Sequence, residues 1–252
     1  MDLGIKGKRA VVIGGSSGLG LAASRSLAAE GVDLVLFARN PENLDEAKAS
    51  LVTEHGTDVY TVAGDITDPD DVRRLRDEIA RTGGVDILVL NTPRPPSPMR
   101  DFLDENEDER WDAAYRDQLQ AALSVLRTIT PLMLDRGWGR IIGITSASVK
   151  QPMPRHALSS IFRAGVQTAL KHLVAEVGPH GVTVNTIAPA TVMTPTFEKF
   201  HNLERRIQGT ALKRHGLPEE LGGTVAFLAS QQAGYITGEL IQLDGGMTVS
   251  LV

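Results

Sequence analysis

Short apolar runs alternate along the chain with longer segments in which apolar residues recur every three to four positions. The first run, residues 10–13, is rich in β-branched side chains and ends in glycines, as expected for a buried strand. After it, Leu19, Ala23 and Leu27 follow helical spacing in a segment that begins at Gly18. The start of the chain is therefore predicted to be a strand, a glycine-containing loop and a helix.

The same alternation continues to the end of the chain. It predicts further strands at residues 33–38, 59–63, 87–90, 140–144, 183–187 and 240–243, and helices near 44–51, 68–79, 111–133, 159–177 and 218–228. Strands that alternate with helices form a parallel sheet, with right-handed crossovers and helices on both faces. No linker or repeat divides the chain. We therefore expect one α/β domain over residues 1–252, doubly wound around a parallel sheet of about seven strands.

Composition limits the classes of function. The 252 residues are 42% hydrophobic and 23% charged, which is ordinary for a soluble globular protein. The absence of cysteine excludes thiol catalysis, and the net charge of −5 argues against a nucleic-acid surface. Residues 1–9 lack the apolar stretch of a signal peptide, and no apolar run is long enough to cross a membrane. We expect a cytoplasmic protein without a membrane partner, and the histidines show no metal-ligand spacing.

A glycine-rich loop joins the first strand to the first helix. Backbone N–H groups at Gly14, Gly18 and Gly20 can approach a pyrophosphate, and the helix N-terminus adds partial positive charge. Ser16, Ser17 and Leu19 belong to the same loop, so all six residues are predicted cofactor contacts. This strand–loop–helix context is typical of a Rossmann dinucleotide-binding domain. The alternative is a tight turn that binds no ligand.

The loop also fits the pattern of a hydrolase nucleophile elbow around Ser16. Three features oppose that alternative. No preceding loop is present to donate an oxyanion-hole amide, Gly20 has no role in it, and His215 lacks a clear acidic partner.

The second strand ends at Ala38, and Arg39 follows it. An arginine at this position suits the 2′-phosphate of NADP, whereas an acidic residue would suit the free ribose hydroxyl of NAD. We therefore predict NADP as the cofactor, with NAD less favoured; an exposed turn residue is the alternative for Arg39. Asp65 ends the third strand, where it could contact the adenine ring or cap the following helix.

Several motifs resemble those of the short-chain dehydrogenase/reductase family, especially its 3-oxoacyl carrier-protein reductase-like members. They are residues 13–20, residues 139–142 ahead of Ser146, residues 184–189, residues 235–238 and residues 244–246. The likeness covers essentially the whole chain. It implies a homo-oligomer (dimer or tetramer), a small-molecule substrate and a substrate lid around residues 191–215. It also implies cofactor contacts at Ile66, Asn91, Arg163, Pro189, Val192 and Thr194.

The family's catalytic set is Asn, Ser, Tyr and Lys, in which the tyrosine protonates the carbonyl oxygen as hydride arrives. Ser146 matches the serine, but Ser159 stands at the tyrosine position, Arg163 at the lysine position and Gln118 at the asparagine position. A serine hydroxyl is a far weaker acid than a phenol, and arginine does not release its proton. The resemblance therefore implies a preserved cofactor site with substituted acid–base chemistry.

Two residues between Ser146 and Ser159 are candidate replacements for the missing acid. A histidine side chain ordinarily has a pKa near neutrality, which makes His156 a candidate, and Lys150 lies on the same predicted loop. The alternative for both is a side chain that points to solvent. We expect the proline-rich residues 93–98 to form a stiff wall of the site, with a ligand for a partner module as the alternative. We expect the acidic residues 101–109 to be a solvated helix start.

Three classes of function stay open on the sequence. The first is an NADP-dependent oxidoreductase that acts on a carbonyl or alcohol with a non-standard proton donor. The second is a non-redox enzyme, such as a dehydratase, isomerase or lyase, on the same scaffold. The third is a catalytically silent protein that binds a nucleotide or a partner.

Overall fold

The computed structural model describes residues 2–194, 197 and 203–251. Its strands are β1 (Arg9–Ile13), β2 (Asp33–Ala38), β3 (Val59–Ala63), β4 (Ile87–Asn91), β5 (Gly139–Ile144), β6 (Val182–Pro189) and β7 (Leu240–Leu243). Its helices are α1 (Gly18–Ala29), α2 (Pro41–His55), α3 (Pro69–Arg81), α4 (Asp108–Ala114), α5 (Ala121–Ile129), α6 (Ala157–Val177), α7 (Leu203–Gln208) and α8 (Pro218–Ala229). The alternating pattern of the sequence therefore forms the alternating elements that it predicted.

All the strands pair in parallel in one sheet, in the order β3-β2-β1-β4-β5-β6-β7. Val12 of β1, for example, lies opposite Leu36 on one side and Val89 on the other. The strand order changes direction between β1 and β4, and such a switch point opens a crevice at the carboxyl ends of the strands. The predicted doubly wound Rossmann sheet is confirmed.

Alternate residues of the central strand face opposite sides of the sheet. Val11 and Ile13 belong to a buried cluster with residues of α3, α5 and α6, including Leu75 and Leu170. Val12 belongs to the other cluster, which includes residues of α1, α2 and α8. Burial on both faces explains why the strands are continuous apolar runs rather than alternating ones. Because helices cover both faces of the sheet, a ligand can approach the strands at their carboxyl ends.

The predicted helix over residues 111–133 is interrupted in two places. It begins earlier, at Asp108, and widens into one π-type turn over Tyr115–Gln120 before α5 continues. After Ile129 the chain tightens into a 3-10 turn at Thr130–Met133. Pro131 explains the second change because it has no N–H to continue the helical ladder. The widened turn carries Gln118.

The expectation of a solvated acidic segment is wrong for Glu105. This side chain is 1% exposed and binds Arg110 through two hydrogen bonds, Nε to Oε2 at 2.7 Å and Nη2 to Oε1 at 2.9 Å. Arg110 Nη2 also donates to the Pro98 carbonyl at 2.6 Å. The pKa of Glu105 is lowered chiefly by its hydrogen bonds from Arg110. This ion pair anchors the proline-rich loop to the start of α4.

A membrane-spanning helix and a metal-binding cluster were both sought among the described residues, which are 2–194, 197 and 203–251. Within them, no helix combines the length and apolar character needed to cross a membrane. Nor do these residues include a cluster of three or more His, Asp or Glu side chains that could hold a metal ion.

Candidate active site

A cavity of about 650 Å³ lies at the carboxyl edge of the sheet and extends from the glycine loop to α6. The predicted site residues that line it are Gly14, Ser16, Ser17, Gly18, Leu19, Arg39, Asp65, Ile66, Asn91, Ser146, His156, Ser159, Arg163, Pro189, Val192 and Thr194. Three other predicted site residues, Gly20, Gln118 and Lys150, lie outside the lining. One continuous cavity thus joins the predicted nucleotide end to the predicted reaction end.

The glycine loop is shaped by close backbone approaches. Gly14 and Gly18 have left-handed φ angles of 69° and 52°, which side chains disfavour. A Cβ added at Gly20 would lie 2.0 Å from the carbonyl oxygen of Gly14. Gly20 therefore serves by letting the first turn of α1 pack against the loop rather than by lining the cavity. The N-terminus of α1, with its partial positive charge, is left facing the cavity.

The nucleotide end of the cavity is polar and partly open. The Arg39 side chain is 72% exposed, with Nη1 4.0 Å from Oδ2 of Asp65. Oδ1 of Asp65 accepts hydrogen bonds at 2.9 Å from the backbone N–H and the hydroxyl of Thr67. The side chain that caps α3 is Asp68, which accepts from the N–H of Asp70 at 2.8 Å, so the capping role considered for Asp65 is wrong.

The Arg163 side chain is buried at the reaction end and held by backbone carbonyl groups. Its Nη1 donates to the Thr145 carbonyl at 2.7 Å, and its Nη2 lies 3.4 Å from the Pro93 carbonyl oxygen. Burial, together with the positive charge of Arg94, lowers its pKa to about 10. The guanidinium is therefore still charged at neutral pH. Within the described part of the chain no carboxylate forms an ion pair with it, so backbone carbonyl dipoles balance its charge.

Gln118 acts on Arg163 rather than on the cavity. Its side chain is fully buried on the widened turn, and Oε1 accepts a hydrogen bond from Arg163 Nε at 3.2 Å. Its Nε2 is buried without a hydrogen-bond partner in the structure. π-type turns of this kind are frequent at functional sites. We therefore assign Gln118 a positioning role instead of the predicted direct catalytic one.

The two serines reach the cavity from different elements. Ser146 follows β5, and its Oγ accepts hydrogen bonds from the N–H of Ser148 at 3.2 Å and from the Ser148 hydroxyl at 3.0 Å. Because these bonds use its lone pairs, the hydroxyl hydrogen of Ser146 can point to a ligand. Ser159 lies in the first turn of α6, one helical turn before Arg163, so both side chains share a face.

His156 is held between a carbonyl and an arginine. Its Nδ1 lies 2.7 Å from the Pro154 carbonyl oxygen, and its Nε2 lies 3.0 Å from Nη2 of Arg206. Arginine only donates, so Nε2 is the acceptor and the ring hydrogen resides on Nδ1. Burial, followed by the charges of Arg206, Arg155 and Arg94, lowers its pKa. A neutral ring in this tautomer has no proton to give from Nε2, which argues against the predicted role of His156 as direct proton donor.

Lys150 is also poorly placed for that role. It follows the short 3-10 turn Ala147–Val149, and its backbone N–H donates to the Ala147 carbonyl at 3.1 Å. Its side chain is outside the cavity lining. Neither of the two predicted replacements for the missing acid is therefore supported by the geometry.

The predicted lid is described only in part. Thr191, Val192, Thr194, Phe197 and Arg206 line the cavity, and α7 carries Arg206. Thr196 and Phe200, which the sequence included in this amphipathic segment, lie outside the described residues. The described part therefore borders the cavity, as expected of a substrate lid.

Arg94 and Arg206 both line the reaction end, although neither was among the predicted site residues. Arg94 interrupts a run of prolines predicted to be a wall of the site, and Arg206 lies in the predicted lid. The sequence could have indicated them, because each is a cationic residue in a segment that was expected to border the substrate.

Comparison with known proteins is consistent with this geometry. A family described as enoyl-(acyl carrier protein) reductase matches residues 13–248. Nodulation protein G of Azospirillum brasilense is 35% identical over 246 residues, covering 95% of this chain and 98% of that protein. Gluconate 5-dehydrogenase of Gluconobacter oxydans is 31% identical over 253 residues, covering 98% and 97%. The crystal structure of L-sorbose reductase from Gluconobacter frateurii, complexed with NADPH and L-sorbose, superimposes with a TM-score of 0.91 at 33% identity and full coverage of both chains.

Proposed function

The chain belongs to the short-chain dehydrogenase/reductase family, and on that premise we propose that it is an NADP-dependent oxidoreductase acting on a carbonyl or alcohol group. One observation carries the proposal: a single cavity connects Arg39 and the glycine loop with Ser146 and Arg163. A structural neighbour at 33% identity is a reductase complexed with NADPH. A relative at 31% identity is named a dehydrogenase of gluconate, which also supports redox chemistry on a hydroxyl or carbonyl carbon.

The residues at the nucleotide end fit a dinucleotide with a 2′-phosphate. A Cβ at Gly20 would overlap the loop, so the loop and helix are built to bring backbone N–H groups close to a pyrophosphate. Arg39 keeps an exposed guanidinium at the end of β2, where it can bind a phosphate by two parallel hydrogen bonds. NADP is therefore the preferred cofactor of this proposal.

When NADPH is bound, its nicotinamide would supply the hydride that reduces the carbonyl carbon at the reaction end. The hydroxyl of Ser146 donates to the carbonyl oxygen, and the buried charge of Arg163 stabilises the negative charge that develops there. Arg163 keeps its proton at neutral pH because its pKa is about 10. Ser159 is too weak an acid to replace a phenol. We therefore propose that water in the open cavity supplies the proton to the oxygen, so that solvent is the non-standard donor.

Direct titration with NADPH and NADH, followed by a screen of ketones and aldehydes at 340 nm, tests this proposal. We expect tight NADPH binding and consumption of NADPH in proportion to alcohol formed. A primary isotope effect with deuterated NADPH would identify hydride transfer as part of the turnover. Conversion of substrate without consumption of NADPH would instead favour the dehydratase, isomerase or lyase alternative, and binding without any turnover would favour a silent member. The cytoplasmic location and the homo-oligomeric state stay predictions.

A further inference from the structure

Asp117 borders the reaction end of the cavity but has no role in the proposed chemistry. It belongs to the cavity lining, and its side chain is 30% exposed. It precedes Gln118 on the widened turn, and Oε1 of Gln118 contacts Nε of Arg163 at 3.2 Å. The same turn therefore places one polar side chain against the buried cation and the preceding one at the wall of the cavity.

The carboxylate of Asp117 retains capacity to accept hydrogen bonds from a ligand. Its Oδ1 accepts a hydrogen bond from Nε of Arg116 at 3.0 Å. The Arg116 side chain is 55% exposed, and an ion pair of this kind in solvent contributes little to stability. Oδ2 of Asp117 forms no hydrogen bond with another described residue. Because each carboxylate oxygen accepts about two hydrogen bonds, Asp117 can bind a donor group in the cavity through Oδ2.

Asp117 supplies the only carboxylate at the reaction end among the described residues of the lining. The other lining carboxylate is Asp65, which lies at the nucleotide end, where Thr67 and Arg39 contact it. A donor group of a ligand at the reaction end therefore has Asp117 as its charged acceptor.

The surroundings of Asp117 determine which donor group fits. Carboxylates accept hydrogen bonds from hydroxyl groups and from ammonium groups. Arg163, whose pKa is about 10, is a buried cation at the same end and repels a second positive charge. A neutral hydroxyl group avoids this repulsion. It is not the reacting hydroxyl group, because a carboxylate next to the reacting oxygen would oppose the negative charge that develops there.

We propose that the substrate is a hydroxy ketone, or a diol in the direction of oxidation, and that Asp117 accepts a hydrogen bond from its non-reacting hydroxyl group. The inference rests on the proposed function, since it names the substrate class of the same site. Asp117 selects and orients the substrate while Ser146 and Arg163 bind the reacting oxygen. Hydrogen bonds to a charged acceptor are stronger than neutral ones, so this contact favours the hydroxylated compound over an apolar one of the same shape.

Matched sets of three alcohols provide the test, because the members of a set differ only in one hydroxyl, methyl or ammonium group. The sets are propane-1,2-diol, butan-2-ol and 1-aminopropan-2-ol; butane-1,3-diol, pentan-2-ol and 4-aminobutan-2-ol; and 1-phenylethane-1,2-diol, 1-phenylpropan-1-ol and 2-amino-1-phenylethanol. Calorimetric titrations of the protein, with and without saturating NADPH, measure the affinity for each compound. NADPH does not oxidise an alcohol, so no turnover interferes. We expect the diol of at least one set to bind about tenfold or more tightly than both other members.

Variants of Asp117 locate the preference. Asp117→Ala should bring the affinity for the diol to within a few-fold of that for the methyl compound. Asp117→Asn keeps a neutral acceptor and should retain only part of the preference. Asp112→Ala is the matched control, because Asp112 is exposed on α4 and outside the lining, and it should retain the whole preference. Circular dichroism and Tm establish that each variant is folded, and Asp117→Asn tests the site if Asp117→Ala is not.

The outcomes separate this proposal from the proposed function. The hydroxyl site is overturned if no set shows a preference for the diol, if the whole preference persists in the folded Asp117 variants, or if the ammonium compound binds best. NADPH titration of the same samples tests the proposed function. Absence of NADPH binding, with a diol preference that Asp117→Ala removes, would overturn the oxidoreductase proposal and keep the hydroxyl site. NADPH binding and carbonyl reduction without a diol preference would do the reverse.

Discussion

Nε of Arg163 donates a hydrogen bond to Oε1 of Gln118 at 3.2 Å, although the two residues are 45 positions apart. The bond joins the second turn of α6 to the widened turn ahead of α5. Because Gln118 is an uncharged acceptor, it fixes the guanidinium without cancelling its charge. We therefore expect a charge at position 118 to change the electrostatic field at the reaction end.

The Gln118→Glu variant should show the effect of the Arg163 charge separately from the effect of the position of its guanidinium. The variant keeps the size of the side chain but places a carboxylate next to Arg163, which offsets the cation that the reacting oxygen would meet. We expect Tm to be maintained and kcat to fall by about tenfold or more, since loss of one stabilising group for an oxyanion costs at least that much. Steady-state kinetics with NADPH measure the change. Gln120→Glu is the control, because Gln120 is exposed two residues later; an equal loss there would contradict the assignment.

Arg39→Asp should change cofactor preference. The substitution removes the exposed guanidinium at the end of β2 and places a second carboxylate near Asp65. We expect NADPH affinity to fall by about tenfold or more, the worth of a charge-assisted hydrogen bond, while NADH affinity rises. Nucleotide fluorescence titrations give both constants. Arg76→Asp, at a position of α3 where the side chain is 43% exposed, controls for net charge; a similar loss of NADPH affinity in that variant would contradict a specific role for Arg39.

Gly20→Ala should disrupt the glycine loop. Its new Cβ would approach the Gly14 carbonyl oxygen to 2.0 Å, and both partners are backbone, so the loop or α1 must shift. We expect loss of NADPH binding together with a lower Tm. Gly223→Ala is the matched control within α8, where a Cβ meets nothing within 4 Å. That variant should be neutral or slightly stabilising, because alanine favours helix by about 1 kcal/mol over glycine.

The double variant Ser159→Tyr with Arg163→Lys tests the frame of the active site. It supplies a phenol and a lysine at the positions where the family resemblance places them. General acid catalysis contributes about a hundredfold or more, so we expect faster reduction of ketones at 340 nm. Ser159→Phe with Arg163→Lys is the control for side-chain size without the hydroxyl. Equal rates in the two double variants, with NADPH binding retained, would show that residue 159 does not reach the reacting oxygen.

His156 should make stability depend on pH. Its pKa is below the usual 6.5 in the folded protein because of burial first and the charges of Arg206, Arg155 and Arg94 next. The unfolded chain therefore takes up a proton near pH 6.5 that the folded protein does not accept until a lower pH. The contribution of the neutral ring to stability is complete above pH 6.5 and decreases as pH falls through that value. The decrease in Tm from pH 8 to pH 5.5 should be larger for the unmodified protein than for the His156→Gln variant. Equal decreases in the two proteins would refute the assignment.

The local sequence pattern was sufficient to predict the strands of the sheet and the glycine-rich loop at the nucleotide end of the cavity. The strands are buried on both faces, and the loop from Gly14 to Gly20 lies within one strand–loop–helix unit, so neighbouring residues determine both. The reaction end depends on contacts between distant segments. His156 and Arg206 are 50 positions apart, and only their contact shows which ring nitrogen carries the hydrogen. In the sequence Glu105 is one member of an acidic run, and only the fold shows that its buried carboxylate pairs with Arg110.

The burial of the Arg163 charge has a consequence for how fast an anionic ligand binds and dissociates. The cation is buried, so mobile ions in solution screen it less than they screen an exposed charge such as Arg39. Charges buried in this way act mainly on the dissociation rate, whereas exposed rim charges act mainly on the rate of encounter. Raising the salt concentration should therefore slow the arrival of an anionic ligand much more than it shortens the time that the ligand spends against Arg163.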